Sequence, residues 1–344
     1  TATVSALVLD PSRPGKRNTL VWFSCDPDPL NLGRSACSDL GELSDPTSLV
    51  STSANGALEL PPGMRLAGFG DTAVYTAPAD LFAQLPAEDE RRRTGSVAQL
   101  LLMAIAEEVS PAASREELDA VLARVRSGEV ESIVSIFRVR VTEEEQLNQN
   151  PRIEGIALDG IRVPTGAHLR VQPGAVSPLS VEAVAEGEDE KLIAAWYTTA
   201  GGVADDRVAL GEGRMATFTA PGADDLPIPE SRRGQVWAVV RDTRGGQSWL
   251  EVPLFVCEPL GPAPVVRSVS LENAEVRLEG EHLDRILDVT VGGQALGDPA
   301  FSTVKGSFGG VLPQLSAGEH PMVLRLRDCT DVVTGQNLPV FTTP

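Results

Sequence analysis

Four cysteines, three histidines and several carboxylate runs are the residues of this sequence whose types could do chemistry. The cysteines stand at 25, 37, 257 and 329, and no two form a C-x-x-C pair. The histidines, at 168, 282 and 320, are equally scattered, so the spacing of a tetrahedral metal site is absent. There is no G-x-S-x-G elbow, no H-E-x-x-H and no phosphate-cradling glycine loop. None of the histidines has a serine or cysteine near it in a recognised order. A triad can assemble from distant positions, but nothing here nominates one. The expectation is a non-enzymatic chain with no catalytic residue and no cofactor.

The cysteines support a geometric reading instead. An even number of spread cysteines in a strand-rich chain points to two disulfides and an oxidising compartment, with buried free thiols as the alternative. Cys25 and Cys37 flank the loop Asp26–Ala36, and a bridge there would be local. Cys257 ends one predicted domain and Cys329 lies in a predicted turn of the next. A Cys257–Cys329 bridge would clamp the two together. Carboxylates cluster at Glu186–Glu190, Asp205-Asp206, Asp224-Asp225 and Glu143–Glu145. They are read as solvated loops. Calcium, which takes six to eight oxygens, is the sharper alternative, although EF-hand spacing is missing. Arg91-Arg-Arg93 follows Glu88-Asp-Glu90 and is read as locally paired.

These residues must be carried by a chain of 344 residues with a net charge of −19. Such acidity excludes counterion-replacing contact with nucleic acid and disfavours anionic lipid. The longest apolar run, near Val97–Ala106, is far short of the ~20 residues that cross a bilayer. Residue 1 is Thr, so an upstream lipid anchor is an expectation about residues outside this sequence. Apolar content is 42% but aromatic content only 4%, so the cores must be aliphatic. The 32 glycines and 26 prolines suit short strands joined by turns.

Two stretches of the chain correspond. Thr19-Leu-Val-Trp-Phe23 resembles Ile193-Ala-Ala-Trp-Tyr197, and Val74-Tyr-Thr-Ala-Pro78 resembles Thr217-Phe-Thr-Ala-Pro221. Ile133–Val141 then parallels Gln235–Arg241. Matches in the same order predict a duplicated domain. Residues 150–258 show about seven strands with period-two alternation, the count of an immunoglobulin-type sandwich. Residues 1–149 are read as the same sandwich with an insertion at about 84–128. The insertion is predicted to be a helical hairpin. Ser96–Val109 has apolar residues at 97, 100, 101, 104, 105 and 109, and Ser114-Arg-Glu-Glu117 opens a second helix as a capping box. The apolar stripe Val97, Leu101, Ile105, Leu118 and Leu122 must cover either the adjacent sandwich or a partner protein.

A third unit, 263–344, follows the Pro-rich linker Cys257–Pro264, with Val265–Leu271, Glu275–Leu278, Val289–Val291, Phe301–Phe308 and Met322–Leu326 read as strands. Its Val276-Arg-Leu-Glu-Gly280, His282-Leu283, Val289-Thr-Val-Gly-Gly293 and Leu315–Leu324 resemble the IPT/TIG family of immunoglobulin-like domains. Trp196–Gly202 and Val239–Gly246 resemble motifs of bacterial PKD-like domains. Val4–Gly15 resembles the opening of predicted Gram-negative surface lipoproteins. The expected fold is therefore mainly β: three tandem immunoglobulin-like β-sandwiches, the first with an inserted α-helical hairpin. The resemblance implies an extracytoplasmic place, in the periplasm or on the outer surface of a Gram-negative bacterium. It also implies a structural or docking role beside other envelope or surface proteins, with an adhesin or glycan-binding protein as the alternative.

Overall fold

The structure is a computed structural model that describes residues 1–6, 8, 18–30, 51–52, 58–60, 63–110, 114–144, 147–185, 187, 190–211, 213–222, 232–272, 274–303 and 306–340. It is mainly β and divides into two compact units, Thr1–Leu147 and Asn148–Pro344.

The first unit contains β1 (Ala2–Ser5), β2 (Thr19–Cys25), β3 (Ser51–Thr52), β4 (Leu58–Glu59), β5 (Met64–Phe69), β6 (Thr72–Tyr75), α1 (Glu90–Thr94), β7 (Ser96–Ile105), α2 (Arg115–Ser127) and β8 (Ser132–Val141). The principal sheet runs β5-β2-β7-β8, and β1 pairs with β6 in a second layer. Between these layers pack Trp22, Ala73, Tyr75, Ala98, Leu100 and Leu102. On the other face of the principal sheet, α2 lays Val121, Leu122 and Val125 over Val21, Phe23, Leu101, Met103 and Ile105.

This arrangement corrects the predicted helical hairpin. Ser96–Ile105 is a strand, not a helix. It lies between β2 and β8, with its even-numbered residues in one core and its odd-numbered ones in the other. A strand covered on both faces loses the alternation that would identify it and reads as a continuous apolar run. The second helix is as expected. Ser114 and Glu117 form a reciprocal capping box, and Gly128 closes the helix in the left-handed region with φ 77°.

The second unit holds two sandwiches. The first has sheets β10-β9-β12-β16-β14 and β11-β18-β17-β13-β15. Their strands are β9 (Arg152–Leu158), β10 (Ile161–Arg162), β11 (Leu169–Val171), β12 (Val176–Val184), β13 (Ile193–Thr198), β14 (Gly202–Ala204), β15 (Arg207–Ala209), β16 (Ala216–Thr219), β17 (Arg233–Arg241) and β18 (Gln247–Val256). Alternate residues of these strands, among them Leu179, Trp196, Phe218, Val240 and Leu254, fill one aliphatic core. The other sandwich has sheets β19-β20-β24-β23 and β22-β21-β25-β26. They are β19 (Val265–Glu272), β20 (Glu275–Glu281), β21 (Ile286–Val291), β22 (Gln294–Ala295), β23 (Gly297–Ser302), β24 (Ser307–Val311), β25 (Gly318–Leu326) and β26 (Asp331–Val340). The stretch predicted as one strand at Phe301–Phe308 is the turn of the β23–β24 hairpin.

The two stretches correspond in strand pairing at Trp22 and Trp196, but the third match is displaced by one strand. Trp22 on β2 faces Leu102 on β7, as Trp196 on β13 faces Ala238 on β17. The counterpart of Gln235–Arg241 is therefore within β7, and β8 is the counterpart of β18. Helix α2 is inserted in the connection that, in the second copy, is the short turn Asp242–Gly246.

Candidate functional site

The densest polar constellation is the joint between the two sandwiches of residues 148–344. Three features of the chain bring it together. β11 is a short strand added parallel to the edge strand β18. It carries His168 and Arg170 to the end of the sandwich, where Cys257-Glu258 leaves β18. From the other side β21 presents Asp288 and β25 presents Arg325. The β25–β26 turn presents Asp328 and Cys329.

Cys257 and Cys329 are bridged, with Cα atoms 5.6 Å apart and a sequence separation of 72. Around the bridge the backbones are laced directly. Glu258 N–H donates to Arg327 C=O at 2.8 Å across the joint, while Cys257 N–H extends the β11–β18 pairing by donating to Val171 C=O at 2.8 Å. Ala295 N–H donates to Thr165 C=O at 2.9 Å, and Thr165 forms a parallel bridge with Gln294.

The centre of the joint is Asp288, which is 1% exposed. Its Oδ2 accepts the His168 backbone N–H at 3.0 Å and Arg325 Nη1 at 3.2 Å. Its Oδ1 lies 2.7 Å from His168 Nδ1. Burial alone would push this carboxyl upward. The His168 hydrogen bonds and the neighbouring charges outweigh it and hold the group below the usual carboxylate range. Burial, reinforced by the Arg170 cation, brings Arg325 down to about 10 despite Asp288 and Asp331. Around this centre sit two further groups. Arg170 donates to Asp331 Oδ1 at 2.6 Å and to Thr330 C=O at 3.0 Å. Glu258 accepts from Arg285 at 2.8 Å and from Arg327 at 2.6 Å, while the Arg327 guanidinium stacks 5.1 Å over Phe255.

What this arrangement can do is hold. His168 and Asp288 resemble two members of a triad, but no described hydroxyl or thiol hydrogen-bonds the imidazole, and the pair is buried under Arg325. Among the described residues no three His, Cys, Asp or Glu side chains gather as a metal site. Of the carboxylates considered for calcium, Glu143 pairs with Arg92 and Glu190 with Arg244. Glu145, Glu186, Glu188, Asp189, Asp224 and Asp225 lie outside the described residues. Arg91, Arg92 and Arg93 pair with Asp89, Glu143 and Glu90.

The partner-contact stripe is not a surface. Leu101 and Ile105 are 0% exposed and Leu122 is buried, all within the first unit's own core, while Val97 is exposed at the rim. The side chain of Leu118 lies outside the described residues. Leu101 and Ile105 are covered because they lie on a central strand packed on both faces. Cys25 is disulfide-bonded, and Cys37 lies outside the described residues. The Asp288 cluster was missed in the sequence. Its signal was present: a carboxylate inside the apolar run Ile286–Val291 and an arginine inside Met322–Leu326 both require buried partners.

No known protein family matches the sequence, and no curated protein matches it. Among solved structures, it is similar to SGBP-B of a Bacteroides ovatus mixed-linkage glucan utilization locus, solved with a mixed-linkage heptasaccharide. That similarity has 17% identity and a TM-score of 0.19, over 56% of this chain and 47% of the other. The first four extracellular domains of protocadherin PcdhgB3 match at 12% identity and TM-score 0.23, over 84% and 62%. The insect immune protein hemolin matches at 10% and 0.21, over 92% and 66%. The chain thus spans about half the length of the SGBP-B chain. At these TM-scores none of the matches carries an argument about function.

Proposed function

We propose that this chain is a non-enzymatic structural or docking component of a bacterial envelope or surface assembly, working outside the cytoplasm as a stiff spacer. The observation that carries this reading is the joint. Two sandwiches joined by a short linker are expected to move relative to one another unless the interface is specifically fixed. Here a disulfide, a backbone lacing and a buried carboxylate fix it together. A disulfide at this joint also fits an oxidising compartment. On this reading the last sandwich is of IPT/TIG type and the one before it PKD-like.

A glycan- or ligand-binding surface protein is the second reading. Tyr197 and Trp249 favour it, because they stand 45% and 37% exposed on the outer face of one sheet. Cross-linking mass spectrometry on intact source cells separates the two, using Lys16, Lys191, Lys305 and acidic side chains. Recurrent links to one or two envelope proteins support the assembly reading. Links confined to the chain itself sink it and move the weight to ligand binding.

A further inference from the structure

The outer face of the sheet β11-β18-β17-β13-β15 combines exposed rings with an unpartnered buried donor. Tyr197 and Trp249 stand 45% and 37% exposed on it. Tyr197 lies opposite Trp237 on the central strand β17, and Trp249 lies opposite Val239, two residues further along β17. With strands ~4.8 Å apart and a rise of ~3.4 Å per residue, the two exposed rings are rooted about 12 Å apart. Trp237, on the strand between them, is 2% exposed, and its indole N–H has no hydrogen-bond partner. A buried donor without a partner calls for one.

The charges of this face run against those of the chain. The protein has 48 Asp and Glu against 29 Lys and Arg. On the outer face of these strands the exposed charges are Arg207, Arg233 and Arg241, with Glu251 the one exposed carboxylate among the described residues. Ala195 faces Arg207 across the β13–β15 ladder, which sets Arg207 diagonal to Tyr197. Arg241 lies two residues beyond Val239, the residue that faces Trp249, and so is diagonal to Trp249. Diagonal neighbours are within reach of long side chains. Arg241 Nε donates to the neutral Gln247 Oε1 at 2.7 Å. Asp205 and Asp206 precede Arg207 in sequence, yet among the described residues no carboxylate pairs with Arg207 or Arg241. Each exposed ring thus has an unneutralised guanidinium beside it.

We propose that this face binds a segment of acidic polysaccharide, its pyranose rings stacked on Tyr197 and Trp249 and its carboxylates or sulfates held by Arg207 and Arg241. The proposal rests on the ligand-binding reading above and names the ligand class. The apolar C–H face of a sugar ring packs flat on an aromatic ring, while the hydroxyls at its edge stay free to hydrogen-bond. Tyr and Trp give such contact with little loss of entropy, because each has only two side-chain torsions. A guanidinium presents a planar fork that matches the oxygens of a carboxylate or sulfate. Trp237 offers its N–H to a hydroxyl between the stacked rings. An apolar peptide would leave both guanidinium groups without a partner. A single-stranded nucleic acid also has rings and anions, but it carries a phosphate at every nucleotide. Two cations on a chain of net charge −19 cannot replace its counterions. A short run of acidic sugar needs only the local pair.

Isothermal titration calorimetry of the full chain tests this, with tetragalacturonate, tetramannuronate and a chondroitin sulfate tetrasaccharide as acidic probes. Cellotetraose is the neutral probe and tetrathymidylate the nucleic-acid probe. At least one acidic tetrasaccharide should bind more tightly than cellotetraose and tetrathymidylate, and the binding should weaken as salt rises. Whether the uronates or the sulfated probe binds identifies the source of the acid. Arg207→Gln and Arg241→Gln should each weaken that binding roughly tenfold, the loss of one charge-assisted hydrogen bond. Arg138→Gln, which removes an exposed charge from the first unit, should leave it unchanged. An equal loss with Arg138→Gln assigns the effect to net charge and overturns the proposal. Cellotetraose binding as tight as that of the acidic probes, and indifferent to the arginine variants, overturns the acidic ligand but keeps the ligand-binding reading. No binding of any saccharide overturns both. Tighter binding of tetrathymidylate overturns the proposal and assigns the face to single-stranded nucleic acid.

Discussion

Replacing Asp288 by alanine should uncouple the two sandwiches of residues 148–344 and is the most severe single change the joint admits. The carboxylate is 1% exposed and serves three groups: the His168 backbone N–H, the His168 imidazole and Arg325. Alanine leaves the Arg325 cation, itself 9% exposed in its side chain, without its buried counter-charge. Breaking a buried ion pair by removing one partner costs about 3–5 kcal/mol. The orphaned His168 N–H would add about 1–3 kcal/mol if independent, but the groups share one site and do not add. The expected loss is about 4 kcal/mol. Guanidinium unfolding of the oxidised protein reads it twice. In a Trp22→Phe background, tryptophan fluorescence reports the second sandwich, since the other three tryptophans, Trp196, Trp237 and Trp249, all lie there. Hydrogen exchange over Ile286–Val291 reports the third. The transitions should separate, with the third sandwich unfolding first. Combining Asp288→Ala with Arg325→Met should recover much of the loss, because no buried charge is then left alone. A loss below about 1 kcal/mol with coincident transitions would refute the claim that this cluster fixes the joint.

Three further expectations follow from the same contacts. Because Asp288 is held below the usual carboxylate range when folded, its contribution is complete above the unfolded value near pH ~4. It disappears as pH falls through the lower folded value. Melting of the joint should thus be flat from neutral to mildly acidic pH and fall in strong acid. A transition near neutrality would contradict carboxylate control. Removing the Cys257–Cys329 bridge with paired serines frees a loop of 72 residues and should lower stability by about 4 kcal/mol on the chain-entropy argument. An unchanged denaturant midpoint would show that the polar contacts alone set the geometry. Leu101→Ala should cost about 2–5 kcal/mol in the first unit, as for any fully buried leucine. A residue held in reserve for a partner would instead leave stability unchanged.

The sequence made the sandwich of residues 148–258 legible because its sheets obey the simple rule. Leu179 and Val181 go in while Ser180 and Glu182 do not, and the alternation survives in the letters. It also exposed the capping box at Ser114 and the clamp cysteines, which are local or chemically distinctive signals. Ser96–Ile105 was illegible for the opposite reason. Once α2 covers the second face, both sets of alternate positions become apolar, and a helix and a doubly buried strand share one pattern. The third repeat match slipped by one strand because β8 and β17 have similar compositions, and only pairing distinguishes them. The Asp288–Arg325 pair lay open to view as two charges inside apolar strands, but nothing in one dimension says that Asp288 meets His168, which is 120 residues away.

The two copies show what the inserted helix achieves. Val21, Phe23, Leu101 and Met103 occupy the positions of Ala195, Tyr197, Trp237 and Val239, so the outer face of this sheet is apolar in both. In the first copy α2, grown from the connection between its two hairpin strands, closes that face with Val121, Leu122 and Val125. In the second copy the same connection is a tight turn, with Gly245 at φ 100°, and no helix is available. Trp237 is on this outer face, buried at 2% exposure beside the exposed Tyr197 and Trp249. Outer faces of sandwiches are ordinarily polar. An apolar one that the chain covers in one copy and leaves lined with exposed aromatics in the other separates two roles. The first copy has covered its face with α2. The second has kept its face, with Tyr197 and Trp249 exposed, and under the ligand-binding reading proposed above that face is where a ligand would engage. Alanine at both positions should abolish that binding while leaving the joint, on the other side of Phe255, intact.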